Sequence, residues 1–434
     1  MKSWLRGIAA YERDIKLFLA YSLFSNIGIG VFMLLLNLYL VELGYNESFI
    51  GAFQSANTLA MAVVSVSLGV LINRFGVWKV VTIGLVFFLI TSALATVVTQ
   101  RELLLVMAAL SGAGTAFLFV PTMPFIVDLT NRRNRGNVAA LAFSLNALAM
   151  TFGSLLGGFG SKAIAALVNV DMPSAAGYRA TLIAGLLFAT IGTVPLLMMS
   201  RSRRTSLPGD PRPASEPDDI SSFGDRRLVR RNMMMFIAIG GVMSLGAGAV
   251  FPFYNVYLRE ELGASDRLIG LTYALGGITA AILGLFSPWV ARHLGPQRAV
   301  TALRLAPMPF YLLLILTPGL PLAILAHVLR NTSINMSWPI DSTYASELLP
   351  PKARAQVFSL RSGAWNLGWS VSAAAAGWGI VRYGYNVSFI AYTFFMIVAM
   401  GMFYGYFRNA ASPHQAPIVS AATPSLGTST STVD

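Results

Sequence analysis

His327, Arg330, Asn331, Asn335, Trp338 and Asp341 lie within one short stretch, HVLRNTSINMSWPID, of a segment that is otherwise apolar. A guanidinium and a carboxylate in such surroundings can pair with each other, hold partners on other segments, or meet a polar solute. Direct pairing is excluded by spacing. Eleven residues make three helical turns, so Arg330 and Asp341 share a face about 16 Å apart along the axis. Asn331, Asn335 and Trp338 fall on or near the same stripe, and Pro339 can bend it. A second polar stretch, FSLRSGAWNLGW, carries Arg361 and Asn366. Arg361 lies seven residues in from Arg354, and Asp341 lies six residues before Glu347. The two share a depth on adjacent helices, which predicts an Asp341–Arg361 ion pair at the inner edge of a central cavity. Arg330 has no acid within a turn of its own helix. The first half of the chain offers neutral polar groups instead: Asn26, Gln54, Asn57 and Asn146. For each of these an interhelical hydrogen bond is the simpler explanation.

The elements that position these residues follow from composition. The chain has 434 residues, 55% hydrophobic and 11% charged, with net charge +13 and no cysteine. A water-soluble chain would carry about 25% charged residues, so this composition belongs in a lipid bilayer. Disulfides, thiol catalysis and cysteine-ligated metals are excluded. Apolar windows of about 20 residues cross a bilayer as helices. Twelve are expected, at 17–40, 48–72, 78–99, 102–128, 136–166, 179–200, 232–258, 267–291, 299–317, 321–347, 355–380 and 385–407. The fold class is therefore all-α and integral to the membrane. The first window lacks a convincing cleavage site and reads as a retained helix.

The basic residues orient the chain. With the N-terminus inside, the inner segments hold Arg74, Lys79, Arg132, Arg133, Arg135, Arg292, Arg298, Lys352 and Arg354. Eight further arginines lie in 201–231. The outer loops hold Arg101, Lys162, Arg179, Arg259, Arg267 and Arg382. This asymmetry follows the positive-inside rule and accounts for the net charge without nucleic acid. A multi-pass protein of the cell's inner (plasma) membrane with both termini cytoplasmic is expected. Residues 1–200 and 232–408 form two six-helix bundles, 201–231 a cytoplasmic linker, and 409–434 a disordered tail.

The halves repeat. At an offset of 219, LGYNESFIG matches LGASDRLIG, Gly76 matches Gly295, Arg135 matches Arg354, Asp128 matches Glu347, and Gly158 matches Gly377. NLYL (Asn37 to Leu40) echoes NVYL (Asn255 to Leu258), and GYRATLI matches GYNVSFI at an offset of 207. Under this repeat Arg330 corresponds to Ser111 and Asp341 to Thr122, so the charges belong to the second half alone. Internal duplication marks carriers whose substrate site lies between the repeats near the midplane.

GVLINRFGVWKVV, from Gly69, resembles motif A of the major facilitator superfamily, G-x-L-a-D-r-x-G-r-k. Gly69, Leu71, Arg74, Gly76 and Lys79 fit, and Asn73 stands where the family has aspartate. The second-half counterpart, SPWVARHLGPQRAV, keeps Gly295 and Arg298 and has Arg292 at the acidic position. The resemblance implies two bundles related by a pseudo-twofold axis, alternating access, and a cytoplasmic gate. Its members would be Asn73 facing the start of helix 11, Arg74 with Asp128, and Glu347 with Arg292 or Arg298. GSLLGG (Gly153, Gly157, Gly158) faintly resembles the antiporter motif, and helix 4 lacks that family branch's mid-span arginine.

Enzyme readings fail on motifs. No G-x-x-x-x-G-K-[ST] loop, no G-x-S-x-G elbow and no H-E-x-x-H site is present. No cofactor or metal is expected. The resemblance implies a monomeric secondary transporter of a small organic solute, with proton-coupled efflux the leading expectation. Uptake or exchange of an anionic solute is the alternative, because Arg330 and Arg361 outnumber Asp341. A non-transporting sensor or scaffold on the same fold is the third.

Overall fold

A computed structural model describes residues 12–130, 132–199 and 226–408. It is helical throughout, with no strand among the described residues. In lipid every backbone N–H and C=O must be satisfied within the protein, which helices do by themselves. The rods are α1 (Arg13–Glu42), α2 (Glu47–Phe75), α3 (Val77–Val97), α4 (Arg101–Leu129), α5 (Arg132–Leu167) and α6 (Ala175–Leu197). After the linker come α7 (Arg226–Glu260), α8 (Asp266–Gly284, continued by Ser287–Leu294), α9 (Pro296–Leu316), α10 (Leu320–Glu347), α11 (Pro351–Tyr383) and α12 (Asn386–Phe407). Ten of these segments are apolar and long enough to cross a bilayer. The other two, α10 and α11, have the length and carry the polar stretches singled out above.

The breaks have causes. α4 is interrupted at Val120 and Pro121, α7 at Pro252, α8 just before Pro288 and α9 at Pro307. Each proline lacks an N–H and cannot extend the preceding turn. Pro339 stays inside a continuous α10. α7 begins at Arg226, six residues earlier than the sequence pattern suggests, so the end of the expected linker is helical. The rest of that linker and the expected tail lie outside the described residues.

The repeat reappears as geometry. Asn46 caps α2 and Ser265 caps α8, each side chain accepting from the N–H three residues on. Gly44 and Gly263 have φ of 87° and 62°, and Gly76 and Gly295 have 82° and 77°. These are left-handed turns that a side chain would strain. Both pairs are 219 residues apart. The two bundles meet along α2–α11, α5–α8 and α1–α7.

Candidate functional site

A cavity of about 610 Å³ lies between the bundles. Of the sequence candidates, Gln54, Asn57, Arg330, Asn331 and Asn335 line it. Asn37, Ser111, Asn255, Tyr273, His327 and Trp369 add polar and aromatic groups, and Phe53, Phe88, Met33 and Met150 supply much of its apolar wall. Gln54 donates to Asn37 Oδ1 at 3.0 Å, and Asn57 donates to Ala108 O and Ser111 Oγ, both at 3.1 Å. Asn335 donates to Asn331 O at 2.8 Å.

Arg330 is 5% exposed. One of its nitrogens, Nη2, donates to His327 Nδ1 at 3.1 Å. Its guanidinium carbon sits 4.1 Å from the Phe251 ring centre and 5.1 Å from that of Tyr254. Nη1 is buried without a hydrogen-bond partner, and Arg330 makes no ion pair among the described residues.

Asp341 is in contact with Arg361, as the matched depth suggested. It also accepts from Arg304 Nη2 at 3.0 Å, and Arg304 Nε donates to Ser337 Oγ at 3.1 Å. Three side chains thus form one buried cluster joining α9, α10 and α11. Gly240 of α7 makes room for it, since a Cβ there would lie 2.8 Å from Arg361 Cγ. The cluster was expected at the cavity edge, but neither Asp341 nor Arg361 reaches the wall. The extra arginine explains this: with cations on both sides, the carboxylate is held inside the C-terminal bundle. Trp338 is 49% exposed and packs edge-on against Trp365, 6.3 Å between centres, away from the cavity. Asn366 is buried outside the wall, and Asn146 pairs with Asn26 at 3.1 Å beside a separate small void. Arg304 was missed. The signal was available as an arginine inside the ninth apolar window.

The end of the cavity away from the linker is closed by contacts that obey the repeat. Asn37 Nδ2 donates to Pro252 O, and Asn255 Nδ2 donates to Leu34 O at 2.7 Å; both members are shifted by 218. Tyr178 donates to Asp266 at 2.7 Å and Tyr385 donates to Glu47 at 2.7 Å, again repeat mates. Arg259 breaks the symmetry by bridging Glu42 and Asp266, each at 2.8 Å. Glycines allow the backbones to touch. A Cβ on Gly270 would lie 2.8 Å from Gly158 Cα, and one on Gly377 would lie 3.1 Å from Gly51 Cα. These four glycines occupy matching repeat positions in the sequence, and the fold pairs them crosswise.

The expected gate residues lie on the linker side. Gly69, Asn73, Arg74, Gly76 and Lys79 are exposed. Arg74 stacks on Phe75 at 5.4 Å. Arg292 and Arg298 are exposed. Gly295 keeps the turn described above. The hydrogen bonds and ion pairs between the bundles, among the described residues, lie toward the far end. Between described side chains, the one nearest the linker side is Ser55–Ser370, at 2.8 Å.

Comparison with known proteins agrees with this architecture. The family model described as Major Facilitator Superfamily matches residues 17–348. The quinolone resistance protein NorA of Staphylococcus aureus (strain MSSA476) is 22% identical over 263 residues, 60% of this chain and 62% of that protein. An uncharacterized MFS-type transporter, YxaM, of Bacillus subtilis (strain 168) is 20% identical over 88% of this chain and 94% of its own length. Among solved structures, a bacterial homologue of the human lysosomal transporter Spinster, inward-facing and unoccupied, superposes with TM-score 0.72 at 14% identity. That match covers 91% of this chain and 96% of that one.

Proposed function

The chain is a member of the major facilitator superfamily, a multi-pass membrane transporter rather than an enzyme, and we propose that it exports a small amphipathic organic solute by alternating access. One observation carries the reading. A cavity of about 610 Å³, of the size that encloses a small organic ligand, lies between two bundles whose hydrogen bonds and ion pairs, among the described residues, lie toward the end away from the linker. Rocking about this cavity would exchange the far-end contacts for linker-side contacts. The positive-inside bias supports a cytoplasmic linker side, with cytoplasmic termini and an inward-facing cavity, in a protein of the plasma membrane. Similarity to NorA favours export, and the match spans 62% of that protein's length.

A proton as coupling ion is part of the reading. No aspartate or glutamate lines the cavity among the described residues, and its wall carries His327 and Tyr273 beside Arg330. Everted membrane vesicles test both parts. An imposed proton gradient should drive uptake of a fluorescent or radiolabelled organic solute, and a protonophore should stop it. Vesicles containing the protein that move no solute faster than protein-free controls would overturn the transport reading and leave a membrane sensor.

A further inference from the structure

Arg330 is the only Arg, Lys, Asp or Glu in the described cavity wall, and its charge is not balanced there. His327 accepts a hydrogen bond through Nδ1 and so offers no countercharge. The faces of Phe251 and Tyr254 supply quadrupole attraction, about 2 kcal/mol when desolvated. Removing an unpaired ion from water costs several kcal/mol. One nitrogen of the guanidinium remains without a partner although the side chain is 95% buried. The rest of the wall combines neutral amides and hydroxyls, such as Gln54, Asn57 and Asn331, with aromatic and aliphatic surface that includes Phe53, Phe88 and Trp369.

We propose that the cavity takes amphipathic organic monoanions. A carboxylate docks on the Arg330 guanidinium, whose planar fork matches two oxygens, and an apolar body lies against the aromatic wall. This rests on the transport reading and narrows it to one substrate class. A cationic amphiphile meets a like charge at Arg330 and no carboxylate in return. Asp341 cannot reverse that preference, because Arg304 and Arg361 already occupy it inside the bundle.

The test uses the full chain purified in detergent and needs no variant for its first arm. Binding of 2-naphthoate, its neutral amide and 2-naphthylmethylammonium is measured by isothermal calorimetry. Laurate and its amide form a second set, which separates a membrane-derived fatty acid from a water-soluble aromatic acid as the natural source. In at least one set the carboxylate should bind about 10- to 100-fold more tightly than its amide, the range expected for one charge-assisted contact, and the cation should bind most weakly. Arg330→Gln should make carboxylate and amide equal while the melting temperature stays near that of the parent. Arg330→Lys, which keeps the charge without the fork, should fall between. If neither carboxylate exceeds its amide, or if the preference survives in Arg330→Gln, the proposal is overturned. Counterflow in proteoliposomes separates it from the transport reading. Arg330-dependent binding without flux would leave the anion site standing and sink transport. Arg330-independent flux of the amide or the cation would leave transport standing and sink the anion site.

Discussion

Replacing Gly158 with alanine should open the far end of the molecule. The added Cβ would lie 2.7 Å from Asp266 O and 2.7 Å from Gly270 Cα. An ordinary contact needs roughly 3.4 Å or more, so α5 and α8 must part by about 0.7 Å. Both obstructing atoms are backbone, and no rotamer change relieves them. α5 and α8 belong to different bundles, so the cheapest relief is separation of the bundles at this end. Overpacking of this kind costs about 1–3 kcal/mol, and here the cost falls on the far-end-closed state alone. The ratio of open to closed populations should therefore rise roughly 5- to 150-fold. The chain contains no cysteine, so a single Met33→Cys reporter in the cavity wall reports without background. Labelling by a membrane-impermeant maleimide added to intact cells should accelerate by a factor in that range. Gly160→Ala is the control on the same helix, because the nearest atom to its Cβ is Ile164 Cδ1 at 3.7 Å. Equal labelling rates in the two variants would refute the reasoning. So would a lower melting temperature in Gly158→Ala without faster labelling, since the strain would then be absorbed inside one bundle.

Asp341→Asn should lower stability by about 3–5 kcal/mol, because it leaves Arg304 and Arg361 buried without a counterion; thermal unfolding in detergent measures this, and an unchanged melting temperature would show that the cluster is solvated. The triple change Asp341→Leu, Arg304→Met and Arg361→Met should restore most of that loss, since buried ion clusters are replaceable by apolar groups of similar volume. Asn73→Asp should shift the equilibrium toward the far-end-open state by about 0.3–1 kcal/mol, because the start of α11 has no side-chain cap and a negative charge meets its dipole; the Met33→Cys labelling rate should rise, and a fall would refute it. Tyr385→Phe should have a similar, smaller effect than Tyr385→Phe combined with Tyr178→Phe, because each removes one of two symmetric bonds to a carboxylate.

Much of the architecture was legible because lipid leaves the chain few options. Apolar windows had to be helices, and ten segments emerge as apolar spans at nearly the expected places. The two more polar rods, α10 and α11, are those that carry the polar stretches around Arg330, Asp341 and Arg361. The repeat was also legible, down to Gly76 and Gly295, whose left-handed turns mark the ends of α2 and of the helix that continues α8. The candidate site was legible by halves. Arg330 was recognised from its lack of a local acid, and Asp341 was matched with Arg361 from depth. Arg304 was overlooked because it sits alone within an apolar window, where nothing nearby hints at a partner 37 residues away.

The sequence by itself determined depth. Residue number along a helix is a ruler of 1.5 Å per step, so spans, topology, repeat mates and the level of each charge follow from counting. Tertiary structure decided azimuth. Whether a side chain at a given depth faces the cavity, a neighbouring helix or lipid depends on how each rod is rotated and against which rods it packs, and neither is written in one helix alone. Which rods pack at each depth also matters: Arg330 and Asp341, placed on one stripe by counting, serve different surroundings, one in the cavity wall and one between arginines supplied by α9 and α11. It is also why Gly158 meets Gly270 rather than its own repeat mate Gly377. The pseudo-twofold axis sets equivalent positions on opposite sides of the molecule, so each must pack against the mate of its neighbour.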